Sequence, residues 1–332
     1  MDCVILAAGK GTRMNSSVPK VLHGIGGKTL IEHLLGSLDP LELKSIVAVI
    51  GYKENLVRNS LSNWEVEFTV QKEQKGTAHA LQQAKSKIES DSFLVVPGDL
   101  PLVKTSSLQQ FIDFASDKEA NISLLTVKRN DPSGYGRIKR DESGKVQAII
   151  EDQDATEQEK QIKEVNAGLY LMSNREELWR ELEAIDPSNA QGEFYLTDLI
   201  KKFADIAGGI EAFQVEKSQE FLGVNTRKDL VLAGKVLNRR KINSLFDSGV
   251  TVIDPGSTLI EGSVNIGKDT VIEPFTVLRG ETSIGSDARI GPNVEIVDSY
   301  IGSEANISYS VVKSARVGDS RKVEPFSFIG PN

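Results

Sequence analysis

The chain has 332 residues, which is longer than a typical single domain and therefore predicts two domains. Hydrophobic residues make up 39% and charged residues 26%, as in soluble globular proteins, and a formal net charge of −8 argues against nucleic acid or an anionic membrane as the partner, since both bind clustered positive charge. No apolar run approaches the length of a membrane span and no cationic leader precedes one, so we expect a cytoplasmic protein. The single cysteine, Cys3, excludes an intrachain disulfide and is expected in the core.

The first pattern along the chain is a short apolar run that enters a glycine-rich loop. Residues 4–6 are typical of a buried strand, and Gly9 and Gly11 follow within a few positions. Both glycines can adopt backbone angles closed to other residues, so that amide groups could converge on an anion, with Arg13 and Lys20 adding positive charge. The loop has neither the order of a P-loop nor that of a dinucleotide site, and a plain connecting turn is the alternative interpretation.

Short apolar runs alternate with amphipathic segments up to about residue 200, which predicts an α/β domain with a mostly parallel sheet and helices on both faces. The predicted strands are 4–7, 46–50, 66–70, 93–96, 122–127 and 169–172. The predicted helices are 29–38, 54–61, 77–88 and 106–114. Ligands of such sheets bind at the carboxyl ends of the strands, so polar residues at those ends are the candidates for a site.

Two polar segments follow predicted strands. Asp99 comes directly after the fourth strand, where its carboxylate could bind a hard cation, although a loop aspartate also commonly caps a turn. Gln71 precedes Gly76 and Thr77, which open a predicted helix, so a side-chain amide and free N–H groups could meet the polar edge of a base. His79 on the same helix is interpreted as a packing histidine rather than a catalytic one.

The remainder of the first region predicts a hairpin and two helices. Residues 134–151 predict the hairpin, which could cover a pocket, and from charge alone Glu151 belongs to a solvated acidic edge. The segment 189–198 leads into an apolar helix face and is expected to support the site. Asn225 precedes a long helix predicted over 226–246, and its position favours an N-cap.

From residue 250 onward, aliphatic residues recur at every sixth position. The register contains Ile260, Ile266, Ile272, Leu278, Ile284, Ile290 and Ile296, and after shifts Ile301, Ile307, Val317, Val323 and Ile329. Small or β-branched residues lie two positions earlier in the first part of this row. This is a hexapeptide repeat, in which each aliphatic side chain points into a narrow prism and stacked coils bury the row together.

Several strings of this sequence resemble one enzyme family. LAAGKGTRM, PKVLH, GDLPL, GYGR and NAQGEFYLTD resemble the motifs of sugar-phosphate nucleotidylyltransferases, most closely the N-acetylglucosamine-1-phosphate uridylyltransferase half of the bacterial bifunctional enzyme that also carries an acetyltransferase. The resemblance covers the full length. It implies a Rossmann-like nucleotidyltransferase (pyrophosphorylase) domain over 1–226, a linker helix over 227–248 and a short left-handed parallel β-helix over 249–332.

The resemblance also implies roles for individual residues. Arg13 and Lys20 would be catalytic, and Asp99 and Asn225 would bind the catalytic Mg²⁺. The residues that would contact the nucleotide are Leu6, Ala7, Ala8, Gly9, Lys20, Gln71, Gly76, Thr77, Pro97, Gly98 and Asp99. The residues that would hold the sugar are Gly136, Glu151, Asn166 and Asn225. Ala167 stands where close relatives usually have threonine, so one polar contact near the sugar is expected to be missing.

The implied reaction is attack by N-acetylglucosamine 1-phosphate on the α-phosphorus of UTP, which gives UDP-N-acetylglucosamine and pyrophosphate. The implied assembly is a homotrimer formed through the β-helix. The acetyltransferase residues of the bifunctional enzyme would lie beyond Asn332, so we expect no acetyl transfer from this chain. Two alternatives remain open: a uridylyl- or thymidylyltransferase for another sugar phosphate such as glucose 1-phosphate, and a non-catalytic regulator that senses nucleotide sugars.

Overall fold

The computed structural model describes residues 1–206, 208–215, 218–221 and 223–331. The chain divides into two compact units, one made of Met1–His23 and Thr29–Asp229 and the other of Gly24–Lys28 and Leu230–Asn332. This division falls within the long helix that follows Asn225, a few residues after the limit of 226 expected from sequence. The last residue of the expected β-helix span, Asn332, lies outside the described residues.

Strands and helices alternate along the first two thirds of the chain. The strands are β1 (Asp2–Leu6), β2 (Gly24–Ile25), β3 (Lys28–Thr29), β4 (Ser45–Ile50), β5 (Glu67–Val70), β6 (Ser92–Pro97), β7 (Ile122–Lys128), β8 (Arg137–Arg140), β9 (Val146–Ile150), β10 (Glu164–Ser173) and β11 (Ile210–Val215). The helices are α1 (Leu30–Leu38), α2 (Glu54–Ser60), α3 (Thr77–Gln82), α4 (Thr105–Lys118), α5 (Glu176–Glu183), α6 (Asp198–Phe203) and α7 (Arg227–Asp247). Within the described ranges, none of these helices combines the length and apolarity that a membrane crossing requires.

One mixed sheet organises the first unit. Among the described residues it contains nine strands, in the order β11-β7-β10-β6-β1-β4-β5, with the β8–β9 hairpin attached to β10. β1 is parallel to β4 and β6, which confirms the predicted mostly parallel sheet. β10 is an exception, because it runs antiparallel to β6 and β7. The parallel strands β1, β4 and β6 are mostly apolar, as expected for strands that are buried on both faces.

The two faces of the sheet form two separate parts of the core. Cys3 and Ile5 pack on one face with Leu34, while Val4 packs on the other with Phe93. Cys3 is fully buried, as expected from the sequence, and burial raises the pKa of its thiol. Strands that are buried on both faces present a continuous apolar run, which is why the sequence identified them.

Several predicted boundaries were wrong for identifiable reasons. The strand predicted over 169–172 is the much longer β10, which contains polar residues and an irregular register between Asn166 and Tyr170. The helix predicted over 77–88 ends at Gln82 and is followed by a separate 3₁₀ turn, Lys85–Lys87. The edge strand β11 was not predicted, because its side chains are only partly buried and its residues lack a clear apolar run.

The second unit is a three-sided parallel β-helix. Its strands are β12 (Thr251–Val252), β13 (Leu259–Ile260), β14 (Asn265–Ile266), β15 (Val271–Ile272), β16 (Val277–Arg279), β17 (Ser283–Ile284), β18 (Arg289–Ile290), β19 (Glu295–Val297), β20 (Tyr300–Ile301), β21 (Asn306–Ile307), β22 (Val311–Lys313), β23 (Arg316–Val317) and β24 (Phe328–Ile329). Each strand pairs in parallel with the third strand after it, except that β22 pairs with β24. The three faces are β12-β15-β18-β21, β13-β16-β19-β22-β24 and β14-β17-β20-β23.

The sixfold aliphatic row lies inside this prism, as predicted. Its members are buried, except that Ile266 and Ile329 are partly exposed. Later coils are shorter: Leu259 pairs with Val277 in the early coils, whereas Glu295 pairs with Val311. This shortening explains the shifts in the sequence pattern. It also places Val312, which is fully buried, in the inward row, although the prediction did not include it. Turns at the corners use left-handed backbone angles, as at Asp269 and Asn293.

Candidate active site

The glycine loop is fixed between the carboxyl ends of three parallel strands. The carbonyl of Leu6 accepts a hydrogen bond from the amide of Gly98 at 2.9 Å, and the carbonyl of Ala8 accepts one from the amide of Tyr52 at 3.1 Å. Gly11 has a φ of +67°, and a Cβ on it would lie 2.6 Å from Cβ of Lys20. Gly11 therefore needs to be glycine, whereas Gly9 does not adopt the left-handed angle that the sequence analysis allowed for it.

Four polar side chains from distant parts of the sequence meet beside this loop. The ammonium of Lys20 contacts Oδ2 of Asp99 in an ion pair and lies 3.1 Å from Oδ1 of Asn225. The guanidinium of Arg13 donates to the same Asn225 oxygen at 3.0 Å. The Lys20 and Asp99 side chains are 19% and 11% exposed, so their attraction is only partly screened by solvent. These residues form what we call the cation cluster: Arg13, Lys20, Asp99 and Asn225.

The start of α7 orients Asn225 toward the cation cluster. The carboxylate of Asp229 accepts hydrogen bonds from the amides of Asn225 at 3.1 Å and Thr226 at 2.9 Å, while Oγ1 of Thr226 accepts from the amide of Asp229 at 3.2 Å. Thr226, not Asn225, is therefore the N-cap, and the expectation from sequence position was wrong. Because Thr226 caps the helix, the amide side chain of Asn225 remains available to Arg13 and Lys20.

The donor set of the cation cluster fits a hard divalent ion. Oδ2 of Asp99 and Oδ1 of Asn225 face the same ammonium, so the two oxygens already converge on a positive charge. A carboxylate and an amide oxygen are ligands that Mg²⁺ accepts, and Mg²⁺ commonly binds to only one or two side chains together with substrate phosphates. In the part of the chain that the structure describes, no group of three or more His, Cys, Asp or Glu side chains is arranged to hold a metal on its own.

Gln71, at the end of β5, forms a second part of the site. Its side chain is buried, and Nε2 lies 2.9 Å from the carbonyl of Gly76 and 3.0 Å from Nδ1 of His79. Gly76 has a φ of +112°, and a Cβ there would lie 2.5 Å from the carbonyl oxygen of Phe194. Oγ1 of Thr77 accepts a hydrogen bond from the amide of Leu196 at 2.9 Å. His79 thus does more than fill space, because its ring holds the glutamine amide.

A third part lies around the β8–β9 hairpin. Gly134 approaches Arg13, since a Cβ on Gly134 would be 3.7 Å from Nη1 of Arg13. A Cβ on Gly136 would lie 3.4 Å from Oε1 of Glu151, so Gly136 lies beside that carboxyl group. The loop that precedes β8 thus lies between the cation cluster and Glu151. Pro97, at the end of β6, is close to the β10 bulge, where a Cβ on Gly168 would be 2.7 Å from its Cγ.

Glu151 and Asn166 have local partners. Oγ1 of Thr197 donates to Oε1 of Glu151 at 3.0 Å, and burial raises the pKa of the Glu151 carboxyl, so charge alone misplaced Glu151 on a solvated edge. The amide of Asn166 donates to the carbonyl of Gly136 at 2.8 Å. The Asn166 side chain accepts from the amide of Gly168 at 2.9 Å and donates to the Tyr170 hydroxyl at 2.6 Å, which fixes its direction.

Tyr195 and Thr197, which were expected from the sequence only to support the site, line an open cavity of about 840 Å³ together with Glu151. Tyr195 is 8% exposed, and its hydroxyl finds no hydrogen-bond partner among the described residues. Burial and the nearby carboxylates, Asp154 first among them, raise the pKa of Tyr195 to about 12. In the sequence, the only sign that these residues line a site is the alternation of hydroxyl-bearing and apolar residues at Tyr195, Leu196 and Thr197. A buried hydroxyl without a partner is suited to a polar ligand.

Comparison with known families and proteins identifies both units. Residues 3–194 match the MobA-like NTP transferase domain, and residues 263–298 match the bacterial transferase hexapeptide (six repeats). A bifunctional protein GlmU of Caldanaerobacter subterraneus is 42% identical over 99% of this chain and 71% of its own length. One of Carboxydothermus hydrogenoformans is 43% identical over 100% of this chain and 74% of its own length.

Two solved structures resemble most of this chain in fold at low sequence identity. A UDP-glucose pyrophosphorylase complexed with UDP-glucose aligns with 72% of this chain and 98% of its own, with a TM-score of 0.60 and 19% identity. HddC from Yersinia pseudotuberculosis, complexed with GMP-PN, aligns with 71% of this chain and 98% of its own, with a TM-score of 0.53 and 22% identity. At this identity the likeness concerns the fold alone.

Proposed function

The chain belongs to the family of bifunctional GlmU proteins, and from this premise we propose that the cation cluster is the centre at which it performs nucleotidyl transfer. The enzyme transfers UMP from UTP to N-acetylglucosamine 1-phosphate, giving UDP-N-acetylglucosamine and pyrophosphate. One observation carries the assignment of the site: Arg13, Lys20, Asp99 and Asn225 converge beside a glycine loop at the carboxyl ends of the strands. That edge is where sheets of this type bind ligands.

The cation cluster supports a mechanism based on positioning and charge. In the proposal, an oxygen of the sugar phosphate attacks the α-phosphorus of UTP in line and pyrophosphate leaves from the opposite side, with no covalent enzyme intermediate. Arg13 and Lys20 donate to phosphate oxygens and stabilise the negative charge that develops on the leaving group. The fixed loop holds the nucleotide so that the reacting atoms meet in one geometry, which lowers the entropic part of the barrier.

We assign Asp99 and Asn225 as the residues that would hold Mg²⁺. A divalent ion at this place supplies neutralisation of phosphate charge when bound. The chain's own contribution is to aim the two oxygens at a common point: Asp99 through its position after β6, and Asn225 through its backbone bond to Asp229. The ion pair between Lys20 and Asp99 directs the carboxylate toward the site.

Binding of the base and the sugar belongs to the same proposal. We assign the base to Gln71, Gly76 and Thr77 and the backbone of the glycine loop, because these groups lie at the ends of neighbouring strands. We assign the N-acetyl sugar to Gly136, Glu151 and Asn166, because Gly136 lies next to Glu151 and is hydrogen-bonded to Asn166. Tyr195 and Thr197 are added because they line a cavity together with Glu151. The loop before β8 reaches toward both the cation cluster and Glu151, which suits one ligand that carries a phosphate at one end and a sugar at the other.

We further propose that the β-helix mediates a homotrimer and that the enzyme works in the cytoplasm, where its nucleotide substrate is found. Hexapeptide repeats are associated with oligomers, and the flat faces of such a prism allow side-by-side packing about an axis. Sedimentation at micromolar protein measures the assembly. A purely monomeric species would contradict this part of the proposal.

An assay of pyrophosphate release tests the function and the site together. The wild-type protein is supplied with Mg²⁺, with UTP, CTP or dTTP, and with N-acetylglucosamine 1-phosphate or glucose 1-phosphate. We expect the fastest release from UTP with N-acetylglucosamine 1-phosphate, and a loss of roughly a hundredfold or more in turnover for Lys20→Ala, as for other preorganised charge donors.

Lys235→Ala, which removes an exposed lysine of α7, is the matched control and should behave as wild type. Equal turnover for Lys20→Ala and wild type would contradict the catalytic assignment of Lys20. A preference for glucose 1-phosphate would contradict the substrate assignment.

A further inference from the structure

The amide of Gln71 is held in one orientation by two acceptors. Gln71 is 2% exposed, and its Nε2 lies 2.9 Å from the carbonyl oxygen of Gly76. A carbonyl oxygen can only accept a hydrogen bond, so this contact identifies the nitrogen end of the amide. Nε2 also lies 3.0 Å from Nδ1 of His79, and because an amide nitrogen only donates, that ring nitrogen is the acceptor of its second hydrogen.

Both hydrogens of the Gln71 amide are therefore used inside the protein. Its oxygen, Oε1, accepts no hydrogen bond from any residue in the described part of the chain. Gln71 consequently presents only an acceptor to a ligand. An acceptor at this place matches the ring N–H of uracil or thymine, whereas the corresponding ring nitrogen of cytosine is itself an acceptor and would meet Oε1 with no proton between them.

The local backbone explains why His79 can reach Gln71. Gln71 is anchored at the end of β5 by the bond from its amide to the carbonyl of Ile50 at 2.8 Å. Gly76, with its φ of +112°, turns the chain back so that its own carbonyl and the first turn of α3 face the same side chain. The His79 ring also packs near Phe194, with ring centroids 6.5 Å apart, while its Nδ1 contacts the Gln71 amide.

We propose that His79 is a positioning residue that sets the base preference of the enzyme by fixing Gln71 as a hydrogen-bond acceptor. The inference rests on the proposed function, because it takes the base to lie at Gln71. Without the ring nitrogen, the amide keeps only the bond to Gly76, and rotation to the opposite orientation, which offers a donor to cytosine, becomes less costly. His79 itself does not touch the base in this proposal.

The test compares base selectivity in variants at position 79. His79→Phe and His79→Leu remove the acceptor with side chains of different size, whereas His79→Asn retains an acceptor at the place of Nδ1. His33→Phe on α1 makes the same chemical change away from Gln71 and serves as the control. The measured quantity is kcat/KM for pyrophosphate release with UTP divided by kcat/KM with CTP, at saturating sugar phosphate and Mg²⁺.

We expect the UTP-to-CTP ratio to fall by about tenfold in His79→Phe and His79→Leu, the loss associated with one net hydrogen bond. His79→Asn should retain most of the ratio, and His33→Phe all of it. If His79→Phe and His79→Leu lose activity equally with both nucleotides, His79 is only a packing residue and the inference is wrong. If the wild type releases no pyrophosphate, the proposed function is wrong. If it releases pyrophosphate without a preference for UTP, the proposed base site is wrong, and the inference about His79 fails with it.

Discussion

The two units of this chain obtain their order in different ways. In the β-helix, the surroundings of each inward residue repeat from coil to coil, so that Ile296 lies in register between Leu278 and Val312. In the first unit, by contrast, the guanidinium of Arg13 meets Asn225, which is 212 positions away in the sequence. The repeat distributes stability over many equivalent residues, whereas the site concentrates chemistry in a few residues that have no substitutes. Damage should therefore appear as lost stability in one unit and as lost turnover in the other.

The largest effect is expected from Asp99→Ala. The change removes an oxygen that contacts Lys20, the residue that also contacts Asn225. We therefore expect turnover to fall by about 10²–10³, the scale seen when one preorganised electrostatic contact is removed, while the protein remains folded. Pyrophosphate release measures the turnover, and circular dichroism reports the fold. Asp117→Ala, which alters an exposed aspartate on α4, is the control. Turnover within tenfold of wild type would break the contrast between the two units.

Next in size is the effect of Ile296→Ala. This side chain is fully buried in the centre of the β-helix, and its truncation should lower the free energy of unfolding by about 3 kcal/mol, the typical cost of such a cavity. Turnover per folded molecule should not change. Ile253→Ala removes the same atoms from a side chain that is 55% exposed and should cost far less. Chemical denaturation measures both, and equal losses for the two variants would contradict the prediction.

The smallest effect is expected from Glu151→Gln. This variant separates stability from activity within one unit, because its free energy of unfolding should rise while its turnover falls. Burial raises the pKa of this carboxyl, so the folded protein holds the proton more tightly than the unfolded chain does. The ionised carboxylate therefore costs stability at neutral pH, and the amide should raise the free energy of unfolding there. Turnover should fall, because Glu151 is assigned to the sugar.

The pH dependence of this difference has a definite sign. As pH falls through the raised pKa of Glu151 toward the value of the unfolded chain, wild type gains stability relative to Glu151→Gln, and below the unfolded value the difference disappears. Thermal unfolding of both proteins across acidic and neutral pH measures it. Thr105→Ala on α4, away from Glu151, serves as the control for a lost side-chain hydrogen bond. A variant that is less stable than wild type at neutral pH would contradict the assigned burial cost.

The sequence predicted the features that depend on local pattern. Strands buried on both faces, such as β1, and the aliphatic row of the β-helix were identified because each carries its own apolar signal. It failed where distant contacts decide the outcome: β10 extends through Asn166 because its neighbours supply the pairing, and Thr226 replaced Asn225 as the cap because Asp229 bonds to both. The contact between His79 and Gln71 has no sequence signature either, since a histidine near an apolar residue favours packing.

The isolated thiol of Cys3 has a practical consequence for experiments on this molecule. It is the only cysteine in the chain, it is fully buried, and burial disfavours the thiolate that reacts with maleimides or iodoacetamides. A cysteine introduced at an exposed position can therefore carry a fluorophore or spin label without removal of the native one. Such singly labelled protein would let spectroscopy follow the hairpin and the glycine loop as each substrate is added.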